Sequence, residues 1–362
     1  VRPLFLSIII LNLLKSTAGN FDSLLTASAK LRGDSGRVNL FYREGFSHRS
    51  NDIQYSYLCA RQAEKIAGAY NKPFYIAKAA SLLGVLYYRK GDLQNAMLQH
   101  KKAMESWTLA NYRKGVAVSQ ANLGNIFTDL KSYSHAENYY LSALQINNEL
   151  GVKEEITSCL NNLGALNYEM KNYTAAKNYF SQAYDHAKRQ NDYEMMATCL
   201  NNLADVNTML ENYEDVIANC ENSLKLKDMM ENEMEKADSY LTLALVYRKM
   251  NRERDFLENL ALADSFIKKF DYSSAKIISL KLKADYYKQK NNYQLAFEFL
   301  NEHSALKDSL MEMSDEVNLQ AGFSDPQQRA SEPKPFGFPF IYLNVLIILG
   351  LVVSAFLFRL KR

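Results

Sequence analysis

The chain repeats itself every 40 residues, and that period decides what it can fold into. Gly84, Gly124, Gly164, Ala204, Ala244 and Ala284 stand 40 residues apart, and all but the last follow a leucine. The flanks repeat with them. Leu160-Asn161-Asn162-Leu163-Gly164 returns as Leu200-Asn201-Asn202-Leu203-Ala204, and Ala121-Asn122-Leu123-Gly124 is a looser copy. Three residues after the small residue comes an aromatic: Tyr87, Phe127, Tyr247 and Tyr287. Nine after it comes Tyr133, Tyr173, Tyr213 or Tyr293, and twelve after it Ala96, Ala136, Ala176 or Ala296. A fixed period of this size is the mark of stacked supersecondary units, each closing its core only against its neighbours.

The order leucine, small residue, aromatic, then alanine, aromatic, alanine resembles the tetratricopeptide repeat (TPR) family. The fullest copy is Leu123, Gly124, Phe127, Ala136, Tyr140 and Ala143, and the resemblance runs from about residue 37 to 310. It implies an all-α fold, an α-solenoid: a right-handed superhelix of antiparallel helix pairs, with helices of about 15 residues. The first helix of each pair would line the concave face. The basic TPR length is about 34 residues, so six extra residues must lengthen the helices between one copy's last alanine and the next leucine. HEAT and armadillo repeats approach this length but lack the leucine–small–aromatic signature.

Six full copies start near residues 77, 117, 157, 197, 237 and 277, within an array spanning 37–312. A worn copy precedes them, with Arg43 and Glu44 where the leucine and small residue belong. End repeats of solenoids are atypical because one face meets water. Turns within copies fall at Gly91-Asp92, Lys171-Asn172, Glu211-Asn212 and Asn291-Asn292, and Gly151 and Asn191 suit left-handed helix caps. Six prolines in 362 residues fit long helices. Val216 and Phe256 replace the alanine in two copies. Larger residues there should distort the fifth full copy.

The two ends read differently. Residues 1–18 have a basic start, an apolar stretch Leu4–Leu14 and the small residues Ser16-Thr17-Ala18, the pattern of a secretory signal peptide. Residues 19–36 form a connector with the turn-like Gly33-Asp34-Ser35-Gly36. Pro326, Pro333 and Pro335 mark 313–335 as a linker. No charge interrupts 336–358, which reads as a transmembrane helix with a belt of Phe336, Phe338, Phe340 and Tyr342. The basic tail 359–362 would be cytoplasmic by the positive-inside rule. The expected location is therefore the inner membrane, single-pass, with the array periplasmic.

Composition excludes several function classes. With 43 basic and 40 acidic residues the net charge is +3, which gives no electrostatic footprint for nucleic acid. Four cysteines are no disulfide scaffold, and five scattered histidines have no metal-ligand spacing. His100 and His303 each stand alone on a helix. There is no phosphate loop, metal motif or serine elbow. The chain reads as a non-enzyme without cofactors.

The expected site is the concave face. On the family pattern, groove positions flank the small residue and take in Asn122, Asn125, Asn161, Asn162, Asn201, Asn202 and Asp205. A carboxamide donates to and accepts from a peptide backbone at once, so a row of them can hold an extended chain. Their other reading is as ties between neighbouring helices. Arg248, Lys249, Lys281 and Lys288 fall near the same face and could meet an anionic ligand end. The expected function is a membrane-anchored, extracytoplasmic scaffold for a protein or peptide. The layout also resembles the sensor part of bacterial regulators common in Bacteroidetes, in which a histidine kinase or LuxR-type DNA-binding domain follows the membrane helix. Here four residues follow it, so that alternative needs a separate signalling subunit as partner. A sorting-signal reading of the tail is a third possibility.

Overall fold

The computed structural model describes residues 21–320, with side chains through 310. Residues 21–29 form a helix, α1. Seven helix pairs follow: α2 (Asp34–His48) with α3 (Ile53–Tyr70), α4 (Pro73–Arg89) with α5 (Leu93–Leu109), α6 (Arg113–Asp129) with α7 (Tyr133–Leu150), and α8 (Lys153–Glu169) with α9 (Tyr173–Gln190). Then come α10 (Tyr193–Met209) with α11 (Tyr213–Met229), α12 (Lys236–Lys249) with α13 (Glu253–Phe270), and α14 (Ser273–Gln289) with α15 (Tyr293–Gln320). No strand occurs among the described residues. Helices α3 to α11 are 17 or 18 residues long, longer than expected. The six residues beyond the basic repeat length are taken up in this lengthening.

The joints explain the period. From Asn71 to Asn291, every twentieth residue has a left-handed backbone: Asn71, Gly91, Asn111, Lys131, Gly151, Lys171, Asn191, Glu211, Glu231, Asn251, Asp271 and Asn291. Across each such residue from Gly91 on, the next amide reaches back to a carbonyl in the last helical turn. Ser132 N to Phe127 O is 2.8 Å, and Asn172 N to Asn167 O is 2.8 Å. This is the Schellman closure of a helix C-terminus. The turn inside a pair and the turn between pairs are thus the same turn. Left-handed φ costs a side-chain-bearing residue about 1–2 kcal/mol, and glycine loses more freedom on folding by about 0.5–1 kcal/mol. Lys171→Gly and Glu211→Gly, at φ 61° and 59°, should therefore each stabilise by about 0.5 kcal/mol net. Thermal melts of the two variants check this, and a lower midpoint in both would refute it.

The small residue of the repeat is where the two helices of a pair touch. A Cβ on Gly124 would lie 2.5 Å from the Tyr140 ring, one on Gly164 2.6 Å from Phe180, and one on Gly84 2.6 Å from His100. His100 thus takes the place of the aromatic wedge. It is buried, and burial lowers its pKa to about 4, so it packs as a neutral ring. In the fourth full copy Ala204 replaces the glycine and the wedge shrinks to Cys220, which packs with Ala204 and Val216. The extra volume of Val216 is offset there.

The fifth copy is irregular, but at another place than Val216 or Phe256 suggested. Both are fully packed, at 0% and 1% exposure. Instead α12 starts at Lys236 and has 14 residues, after a non-helical 230–235. Lys227, on α11, is completely buried. Its ammonium donates to the Glu235 carbonyl (2.8 Å) and to Ser239 Oγ (3.0 Å). A buried cation must find acceptors, and the unwound first turn supplies one.

The worn first pair keeps its small residue, shifted by one. Val38, Phe41 and Gly45 face inward, and Ser56 Oγ donates to the Gly45 carbonyl at 2.6 Å. Gly45, not Glu44, is the close-approach position. Helix α1 covers this end: Phe21, Leu24 and Leu25 pack on the cluster of Val38, Phe41 and Tyr55.

Each helix packs on its neighbours in sequence, and every first helix also touches the first helix of the next pair. Among the described residues no second helix touches the next second helix. First helices are therefore the more closely spaced layer, which makes their outer face the concave one.

The expectation of a membrane-spanning helix is corrected. Among the described residues no helix is long and apolar enough to cross a membrane. The segment 336–358 and the signal segment 1–18 lie outside the described residues. The fold class is an all-α solenoid, and the membrane partner and single-pass inner-membrane location inferred from those segments have no support in it.

Cys59, Cys159, Cys199 and Cys220 are all free and buried. Burial pushes the Cys159 thiol up to about 11 and those of Cys59, Cys199 and Cys220 to about 12. Only the thiolate is a good nucleophile. Iodoacetamide at pH 8 should leave the native protein unmodified and label all four sites in denaturant, as read by intact mass. Rapid native labelling would contradict the packing.

Candidate binding groove

The sequence expectation placed eleven residues on this face, and the structure distributes them among different tasks. Asn125 accepts a hydrogen bond from the Tyr140 hydroxyl at 2.7 Å. Asn202 donates to Asn161 Oδ1 at 2.8 Å, tying α10 to α8. Asn201 Oδ1 accepts from Ser223 (2.8 Å) and Ser239 (3.3 Å), joining α10 to α11 and α12. Asn122 and Asn162 are half-buried on α6 and α8. Asn125 and Asn162 come together in one recess, while Asn161 and Asn201 belong partly to the scaffold.

The recess measures about 440 Å³ and spans three successive first helices. Tyr88 of α4, Asn125, Thr128 and Asp129 of α6, and Asn162, Ala165, Leu166 and Glu169 of α8 line it, with Lys131, Tyr133 and Tyr140. Tyr88 hydrogen-bonds Asp129, and burial with that neighbouring charge raises the Tyr88 pKa. Tyr88, Thr128, Asp129 and Glu169 lie four or five residues after the small residue. The sequence reading used those positions only in the last two copies, at Arg248, Lys249 and Lys288, and stopped one residue after the small residue in the others. The helical period puts both sets on one face, so the signal was available.

Charge along the groove is sorted. At the start, Lys78 donates to Asn39 Oδ1 (2.8 Å) and lies over the Tyr42 ring (4.5 Å), beside Arg43 and Phe46 in a second recess of about 660 Å³. The middle is acidic, with Asp129, Glu169, Asp205 and Asp238 on α6, α8, α10 and α12. Toward the far end Arg248 reaches the Leu282 carbonyl at 3.4 Å, Lys281 pairs with Asp285 at 3.1 Å, Lys249 lies 6.0 Å from the Tyr213 ring, and Lys288 is exposed. Arg248 and Lys281 are thus partly spent inside the fold.

Asp205 is open to water at its surface yet surrounded by protein mass. That setting, and secondarily the Asp238 carboxylate, pushes its pKa up to about 6. A raised carboxyl pKa means the folded state binds the extra proton between the ordinary value of 3.8 and about 6. Stability from this group therefore falls as pH rises through that window. Asp205→Asn should melt higher than the parent at pH 7, with the difference gone near pH 4. An equal difference at both pH values would contradict this.

Tetratricopeptide-repeat family models match residues 156–228 and 116–150, and these stretches are tetratricopeptide repeats. No curated protein matches it. Among solved structures it is similar to the apo form of RapI, with 16% identity and a TM-score of 0.63 over 76% of this chain and 99% of that one. A signal-transduction ATPase with a tetratricopeptide-repeat sensor from Pyrococcus horikoshii matches at 17% identity and a TM-score of 0.62, covering 78% of this chain and 44% of that one. NprR in complex with its cognate peptide NprX matches at 15% identity and a TM-score of 0.53, over 92% and 94%. At these identities the likeness is one of fold.

Proposed function

We propose that the chain is a non-catalytic interaction scaffold that holds an extended peptide, or a partner's loop, along the concave face. The carrying observation is the recess across α4, α6 and α8, where amides from two repeats meet an open, polar, tyrosine-rich hollow. Asn122, Asn162 and Asn202 recur at one position of successive first helices, so an extended backbone passing along the groove meets an amide at each repeat. Support also comes from the similar fold of NprR, whose structure holds a peptide. The same groove would serve as the receiving part of a regulator. The similar array of the Pyrococcus ATPase is described as a sensor.

The test is binding of a peptide selected from a display library, measured with the parent and with the three asparagines changed to alanine. Loss of binding with an intact fold supports the reading. Unchanged binding with a lowered melting point would instead make the amides structural ties.

A further inference from the structure

We propose that the recess between α4, α6 and α8 takes the guanidinium of an arginine in the bound peptide. This rests on the reading of the groove as a peptide site and adds the chemistry of one side chain. Asp129 and Glu169 come from adjacent repeats and open into the same hollow. Both are exposed, and neither has an ion pair among the described residues. Lys131 is the single cation of the lining and sits exposed in the turn. Two carboxylates against one ammonium leave the hollow negative.

Three further features favour a guanidinium over other cations. The half-buried Tyr88 and Tyr133 line the hollow with aromatic rings, on which a planar cation stacks and a compact ammonium gains less; the Tyr140 ring is taken up against Gly124. The Asn125 oxygen is occupied by the Tyr140 hydroxyl, while the Asn162 carbonyl remains a neutral acceptor for one arm of the fork. No group of three metal-ligating side chains is present among the described residues, so a metal ion is poorly served. The basic ends of the groove, with Arg43 and Lys78 at one side and Arg248 and Lys249 at the other, confine the attraction to the centre. They set one fixed position for the arginine along the bound chain.

The experiment pans a random dodecapeptide display library on the purified full chain and on Asp129→Asn/Glu169→Gln. Each carboxylate is also changed singly, and circular dichroism melts verify that the variants fold. One selected peptide is then resynthesised with citrulline, which keeps the shape and removes the charge. The parent is expected to enrich arginine at one position, and the double variant to lose that enrichment. Citrulline should weaken parent binding by about 10- to 100-fold, as for a hydrogen-bonded charged contact, and leave the double variant nearly unaffected. A consensus without arginine, one with lysine in its place, or the same arginine consensus from parent and variant would overturn the proposal while leaving the groove in use. Failure of the parent to select any peptide would overturn the groove reading and this proposal together.

Discussion

Changing Asn122, Asn162 and Asn202 to alanine together is expected to weaken peptide binding by about 10- to 1,000-fold. An amide–backbone contact contributes about 0.5–1.5 kcal/mol net, and three of them sum to about 1.5–4.5 kcal/mol. The three positions should differ in what else they lose. Asn202 donates to Asn161 at 2.8 Å, so Asn202→Ala also cuts a tie between α10 and α8 and should lower the melting point. Asn122 and Asn162 are half-buried and carry no comparable inter-helix bond. Asn122→Ala and Asn162→Ala should weaken binding with little change in melting. Titration calorimetry with a selected peptide, beside thermal melts of each single variant, separates the two effects. A lowered melting point at Asn122 and Asn162, with affinity intact, would reduce the row of amides to a structural device.

Gly164→Leu should unfold its pair. The first side-chain atom alone would stand 2.6 Å from Phe180 Cδ1 and 2.7 Å from Cε1, and the remaining leucine atoms have nowhere to go while α8 and α9 stay packed. Overpacking of a filled core costs about 1–3 kcal/mol and at times more. In an array held by nearest neighbours that loss stays local at first, so an early melting step covering the third copy is expected. Amide hydrogen exchange should find lost protection centred on α8 and α9. The chain itself contains the remedy. Where Ala204 stands in place of the glycine, the wedge is Cys220 and the alanine position holds Val216. Gly164→Ala combined with Ala176→Val and Phe180→Cys should therefore melt close to the parent, and higher than Gly164→Ala alone. If the combination is no better than the single change, the three positions do not share volume.

The repeat was legible because helix packing demands a glycine or alanine at the close approach of each full pair, and four of the six keep the alanine twelve residues on. Its half-period was not. The twelve left-handed joints are filled by asparagine, glycine, lysine, glutamate and aspartate, since an exposed turn tolerates the strain of any of them. The small residue of the first pair was placed one position early because the period was extended rigidly, whereas Gly45 stands 39 residues before Gly84. The irregular start of α12 traces to Lys227, an unremarkable letter in a charged stretch until its burial is known. In the groove, the asparagines stood out by repetition. Asp129 and Glu169 did not, because the position five after the small residue holds Arg89, Asp129, Glu169, Met209, Lys249 and Gln289 in turn. Variation is what a surface that must discriminate between partners requires, and it is also what hides such a surface from a search for repeats.

The identical joints bear on how such a chain changes over generations. A crossover between two copies that removes 40 residues, for instance one fusing Gly151 directly to Asp192, joins one turn to the residue that follows its equivalent. Inward and outward helices still alternate, and the product is a shorter groove with every remaining junction of a familiar kind. Loss of 20 residues would seat a second helix where a first belongs and would be purged. Copy number, and with it the length of the groove, is thus a heritable variable that recombination adjusts while every turn stays of the same kind.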